Sequence, residues 1–162
     1  MPFLDSHSLR TAFVANLLER LVDQIVGQGE ELLREAGVEF PPRAASTVLL
    51  LGEHGRMSAA DIARSLALPH QLVTQRIDLL IELGIVARID DPKDARRKVV
   101  RLTAKGRKQL QKLQSRLVLA EAAFMALFKE IGCDLSAAAL KAMEALNHSS
   151  LLARTKQLKA IA

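Results

Sequence analysis

The stretch from Gly84 to Gly106, GIVARIDDPKDARRKVVRLTAKG, decides the fold. Two runs rich in β-branched residues, Ile85 to Ile89 and Lys98 to Leu102, flank a polar tip that holds Asp-Pro and three closely spaced cations. That is the pattern of a β-hairpin with a long charged loop. Thr103 then precedes a long helical pattern, where its hydroxyl can accept a hydrogen bond from a free N–H of the first turn. The hairpin therefore runs straight into a helix, and its charged tip has the character of a wing.

Upstream of the hairpin the pattern is helical. Pro42 opens a helix to Leu51, since proline at the first helical position forfeits no hydrogen bond, and Gly52 is expected to close it. Gly55 to Met57 form a brief extended link. Ser58 begins S-A-A-D, a serine cap with an acid three residues on, so the next helix starts at Ala59 and runs to Leu66. After a turn at Ala67 to Pro69, a fourth helix from Pro69 to Leu83 buries Leu72, Val73, Ile77, Leu80 and Ile81, and Gly84 stops it. Two helices joined by a tight turn, with the small Ala63 where they approach, make a helix-turn-helix. With the hairpin it becomes a winged helix.

Long helices flank this unit. From Ser8 to Ala36 apolar residues recur at three-and-four spacing, with Ser6 or Ser8 as cap and a weakness expected at Gly27 and Gly29. Its apolar face exceeds what a small lobe can cover, which points to a partner subunit. The helix from Ala104 to Ile131 is basic up to Arg116 and apolar beyond, so its first half can face phosphates and Leu117, Val118, Phe124, Met125, Leu127 and Phe128 are expected to be buried. A last helix, capped by Asp134 or Ser136, extends toward Leu158 with an interruption at Asn147 to Ser150.

The bulk properties agree with one folded unit of mostly α class: 49% of the 162 residues are hydrophobic, only 3% are aromatic, and Leu and Ala dominate. No apolar run approaches the roughly 20 residues that span a bilayer, and a signal peptide is not recognisable, so a cytoplasmic protein without a membrane partner is expected. Cys133 stands alone, which fits a reducing compartment and excludes a cysteine-based zinc cluster. Between Arg88 and Arg116 there are 11 Lys/Arg against 3 Asp, whereas the remaining residues hold 12 against 15 acids. The positive excess thus lies in one segment, as a docked polyanion would require or as a solvated helix face would produce.

The run Asp91-Pro-Lys-Asp94-Ala-Arg96, followed by Leu102-Thr103-Ala-Lys-Gly106, resembles the wing signature of the MarR family of multiple-antibiotic-resistance regulators. The order of elements resembles that family across nearly the whole chain. The resemblance implies a winged helix-turn-helix over 38–103 and a helical dimerisation region over 1–37 and 104–162, intertwined in a homodimer. It further implies a repressor that binds a near-palindromic site on double-stranded DNA and answers to a small-molecule effector between the lobes, with no cofactor. Carried over by residue, His70, Gln71, Thr74, Gln75 and Arg76 would face the major groove, where Gln can pair with adenine and Arg with guanine. Lys93, Arg96, Arg97, Lys98 and Arg101 would supply wing and backbone contacts, with Arg96 or Arg97 in the minor groove and Asp94 as a brace for a wing arginine. This chain has Gln75 where many members carry a cation, and Pro69 at the helix start, so the operator sequence is not inherited.

Other chemistries fit less well. Asp90, Asp91 and Asp94 sit among cations without a nucleophile or a phosphate-cradling loop, so they are surface ion pairs rather than catalytic carboxylates, and no enzyme is expected. His7, His54, His70 and His148 lack ligand spacing and no metal site is expected. His70 is a DNA contact or a solvent-exposed helix-start residue, and Cys133 an ordinary thiol beside Asp134 rather than a redox sensor. The alternative to a DNA-binding regulator is a winged-helix module that docks an acidic protein surface.

Overall fold

The computed structural model describes residues 2–91 and 94–161, except the side chains of 94–96 and 160–161. After two short 3₁₀ turns, Phe3–Asp5 and Arg10–Phe13, the elements are α1 (Val14–Glu35), α2 (Pro42–His54), β1 (Arg56–Met57), α3 (Ala59–Leu66) and α4 (His70–Glu82). They continue with β2 (Val86–Asp91), β3 (Asp94–Leu102), α5 (Ala104–Ile131), α6 (Leu135–His148) and α7 (Leu151–Ile161). The chain forms two compact units, 1–117 and 118–162.

The first unit holds the core. Val48 and Leu51 of α2, Ile62 of α3, Val73, Ile77 and Leu80 of α4, Ile85, the strand residues Val86, Val100 and Leu102, and Leu113 of α5 are all buried in one cluster. Each such side chain stabilises the fold by about 1.5–3 kcal/mol relative to exposure. The sheet order is β1-β3-β2, both pairs antiparallel, with Met57 opposite Val100 and Val86 opposite Leu102 on the core face. A register shift lies between Asp90 and Asp91.

Helix ends follow the expected chemistry in places and depart from it in others. The Ser58 hydroxyl accepts from the Asp61 N–H and starts α3, as its sequence suggests. At the N-terminus the serines do not cap; the chain enters α1 through the 3₁₀ turn, with Phe13 at the cap position and no side-chain hydrogen bond. Gly27 and Gly29 do not interrupt α1, and a Cβ at Gly29 would press on the Pro42 ring, so that glycine permits close approach of α2. Gly52 likewise lies inside α2, where a Cβ would collide with the Leu110 side chain of α5; the helix ends instead at Gly55, φ +78°.

In the second unit Gly132 (φ +67°) ends α5, and the Asp134 carboxylate caps α6 by accepting from the Ala137 N–H at 3.0 Å. The interruption expected near 147–150 is real. Arg154 donates to the Ala145 carbonyl at 2.8 Å and to the Ser149 carbonyl at 3.0 Å, satisfying the end of α6, while the Ser150 hydroxyl accepts from Ala153 N–H to begin α7. The burial expected for the second half of α5 is met only in part among the described residues: Leu127 and Phe128 are half-buried, whereas Val118 and Met125 are each 66% exposed. Residues 118–159 close no core of their own, since Leu140, Met143 and Leu146 of α6 are exposed as well.

Candidate nucleic-acid interface

The turn between α3 and α4 is tight because Ala67 adopts a left-handed conformation, φ 51°, and Leu68 N–H reaches back to the Ala63 carbonyl at 2.9 Å. Pro69 then sets the start of α4, whose buried stripe of Val73, Ile77 and Leu80 fixes its rotation. That stripe leaves His70, Gln71 and Gln75 exposed and Thr74 half-buried. The Thr74 hydroxyl donates to the His70 carbonyl at 3.0 Å and lies 3.5 Å from the His70 Nδ1.

Arg76 is placed differently from its neighbours. It is half-buried, its Nε is shielded from solvent without a hydrogen-bond partner among the described residues, and it lines a cleft of about 230 Å³ with Glu30, Pro41, Arg43, Leu72 and Leu79. Burial, and then the neighbouring Arg43, push its guanidinium pKa below the usual value. Gln75 borders the same cleft.

The wing is anchored on the helix-turn-helix by Arg97. Its Nη2 donates to the Ser58 hydroxyl at 3.0 Å and to the Asp61 carboxylate, and its Nη1 lies 4.0 Å from Asp91. Hydrogen bonding from Ser58, and then the charge of Arg97, hold the Asp61 carboxyl below the usual carboxylate range against an opposing effect of burial. Lys98 pairs with Asp90, its cross-strand partner, and Arg88 with Asp78 at 3.0 Å. Lys93 lies outside the described residues, as do the side chains of Asp94 and Arg96, so the brace expected of Asp94 falls there too. Arg101 is exposed on the outer face of β3.

The Leu102-Thr103-x-x-Gly106 motif has a structural cause. The Thr103 hydroxyl accepts from Gly106 N–H at 2.9 Å and donates to the Gly84 carbonyl at 2.7 Å, locking the start of α5 to the end of α4. A Cβ on Gly106 would overlap the Ile85 carbonyl, so only glycine fits.

The basic first half of α5 is largely engaged within the fold. Lys105 pairs with Glu39 and donates to the Leu83 carbonyl at 3.0 Å, Lys112 donates to the Gly37 carbonyl at 2.9 Å, Arg107 donates to the Leu102 carbonyl at 3.3 Å, and Arg116 meets Glu35 at 3.6 Å. Buried Gln109 completes the latch, accepting from Glu39 N–H at 3.0 Å and donating to the Glu39 carboxylate at 2.8 Å. Net charge along the sequence therefore overstated the cations available to phosphates. Residues that sequence reasoning missed are Asp61 and Gln109. For Asp61 the signal was its place in the S-A-A-D cap; for Gln109, nothing local marks it.

Residues 39–97 match the family model described as MarR family. No curated protein sequence matches the chain. Among solved structures, it is similar to the transcriptional regulator MosR of M. tuberculosis in complex with DNA, at 21% identity over 85% of this chain and 98% of that one, TM-score 0.65. It is also similar to CouR from Rhodococcus jostii bound to p-coumaroyl-CoA, at 22% identity over 93% and 97%, TM-score 0.58. A mutant of MarR from E. coli complexed with operator DNA matches at 21% identity over 83% and 93%, TM-score 0.53. Among the described residues no helix is long and apolar enough to cross a membrane. The family match over 39–97 covers the helix-turn-helix and the wing up to Arg97, so the likeness of this chain to the MarR family rests on its winged helix.

Proposed function

We propose that this chain is a DNA-binding transcription regulator that acts as a homodimer, represses from a near-palindromic operator, and releases it when a small molecule binds. The observation that carries this is the exposed His70, Gln71 and Gln75 face of α4, held rigid by Val73, Ile77 and Leu80 and flanked by an anchored wing. A helix fixed in this way can enter a major groove and read base edges. Base discrimination falls to Gln71, Thr74 and Gln75, with His70 beside them, whereas Arg76 supports the helix from the cleft. Lys98, Arg101 and the wing tip, with Lys93 and Arg96, supply backbone and minor-groove contacts, and Arg97 holds the hairpin at its angle.

Exposed Leu18 and Val22 of α1, and Val118, Met125 and Leu140 of the second unit, supply the apolar surface that a second copy would cover. A two-fold dimer would present two winged helices to half-sites about one helical turn apart. The ligand-bound CouR neighbour supports a response to a small organic effector. Titrating salt against binding to a palindromic site from the chain's own promoter region tests the central reading. Affinity should fall steeply and linearly on a log-log scale; an affinity indifferent to salt would overturn it.

A further inference from the structure

Arg56 and Arg101 are Cα partners in the antiparallel pairing of β1 with β3, so their side chains leave the same face of the sheet side by side. Both are exposed, and neither has an ion-pair or side-chain hydrogen-bond partner among the described residues. Like charges directly opposite one another in a sheet are unfavourable. The nearby acids do not offset them. Asp61 and Asp91, which line a cleft of about 250 Å³ together with Arg56, are engaged by Arg97, and Asp61 by Arg64 at 3.2 Å as well. The other cations of the wing root have internal partners; these two do not.

Their position gives the pair a use. Arg56 stands two residues before Ser58, the cap of α3, and α3 is the first helix of the helix-turn-helix. In that motif the first helix crosses the nucleic-acid backbone while the second enters the groove, and its N-terminus favours phosphate. We propose, resting on the DNA-binding reading above, that Arg56 and Arg101 form a two-arginine clamp for a phosphodiester of the DNA backbone flanking the groove read by α4. Two guanidiniums on one strand pair can each donate to phosphate oxygens, and the anion relieves their mutual repulsion. The clamp adds affinity and register, not base preference.

The experiment measures binding of the full chain to promoter DNA and to a scrambled duplex across a salt series, for wild type, Arg56→Ala, Arg101→Ala and Arg56→Lys. Each alanine variant should lower affinity several-fold on both duplexes and make the log-log salt slope shallower, by up to about 0.9, the value of one phosphate contact on duplex DNA. Arg56→Lys should keep most of the slope. Thermal melting should leave the alanine variants as stable as wild type or slightly more so, because a repulsion is removed. An unchanged slope in Arg56→Ala, or a loss confined to the promoter sequence, overturns the clamp while the regulator reading stands. Stabilisation by inorganic phosphate that Arg56→Ala abolishes, with DNA affinity unchanged, makes the pair a free-anion site and also overturns it. A wild type that binds neither duplex overturns both readings.

Discussion

The two units use the same Leu-rich and Ala-rich helices to opposite effect. Within 1–117 the apolar stripes of α2, α3, α4 and the start of α5 meet one another and the sheet, and Val48, Ile62, Val73, Leu80 and Leu113 have no exposed surface. Within 118–162 the stripes of α5, α6 and α7 stay largely open among the described residues, and Leu151, Leu152 and Leu158 are each at least 65% exposed. Periodicity tells which face of a helix must be covered, but not what covers it. The first unit carries its stability in its own contacts, and under the proposed dimer the second would draw its stability from a second copy.

The largest effect is expected where the first unit is most tightly closed. Gly106→Ala would drive a methyl into the Ile85 carbonyl, a backbone atom held by Thr103 N–H at 3.0 Å and therefore unable to yield cheaply. A loss of about 3 kcal/mol or more is expected in a urea melt, at the upper end of overpacking costs. A variant within about 0.5 kcal/mol of wild type would mean that the start of α5 can slide away from the hairpin, and the contrast between a closed and an open unit would weaken.

Met125→Glu addresses the other side of the comparison. On an isolated chain the change touches a side chain that is 66% exposed, and such changes usually cost no more than about 0.5 kcal/mol. If a second copy covers it, the glutamate is buried at an interface, and the dimer dissociation constant should rise at least tenfold, about 1.4 kcal/mol. Sedimentation across a dilution series reads this directly, and the concentration dependence of the melting temperature should diminish with it. A variant that assembles as wild type does would place Met125 outside the interface.

A smaller effect concerns the wing anchorage and its dependence on pH. Asp61, held below the ordinary carboxylate range by Ser58 and Arg97, contributes stability that is present above its unfolded pKa, about 4, and is lost as pH falls through the lowered folded value. Glu39 has the same sign, lowered first by its hydrogen bond from Lys105. Wild type should therefore lose stability below about pH 4, and Asp61→Asn should show a shallower acid limb. Superimposable acid limbs would remove Asp61 from the anchorage.

Much of this architecture was legible in local chemistry. The Ser58 cap, Pro42 at the start of α2, Gly84 after α4 and the Leu-Thr-x-x-Gly motif each report a constraint that acts within a few residues. So do the two β-branched runs that became β2 and β3. What was not legible depends on residues far apart in the chain. Gly52 looked like a helix end because nothing near it reveals that Leu110 crosses there. Lys105, Lys112 and Arg116 looked like phosphate ligands because their partners, Glu39, Gly37 and Glu35, lie far earlier in the chain. That Arg76 lines a cleft with Glu30, Pro41 and Arg43 could not be read from its place on α4 alone. Arg56 carried no signal until β1 was paired with β3.

The smallest effect has the opposite sign and tests how dry the closed unit is. Thr47, on α2, is fully buried, and its hydroxyl oxygen has no hydrogen-bond partner among the described residues. A hydroxyl stripped of water without a replacement partner costs about 1–3 kcal/mol. Valine has nearly the same shape, shares the β-branch and so loses no more rotamer freedom, and has a similar helix propensity. Thr47→Val should therefore raise stability by about 1 kcal/mol. Thr47→Ser, which removes the packed methyl and keeps the hydroxyl, should lower it by about the same amount. Equal destabilisation by both would mean that the hydroxyl has a partner, such as a buried water, and that the core of the winged helix is not sealed at α2. An increase in Thr47→Val alone would confirm a core closed tightly enough to exclude water from a single oxygen, the opposite extreme from the exposed leucines of α7.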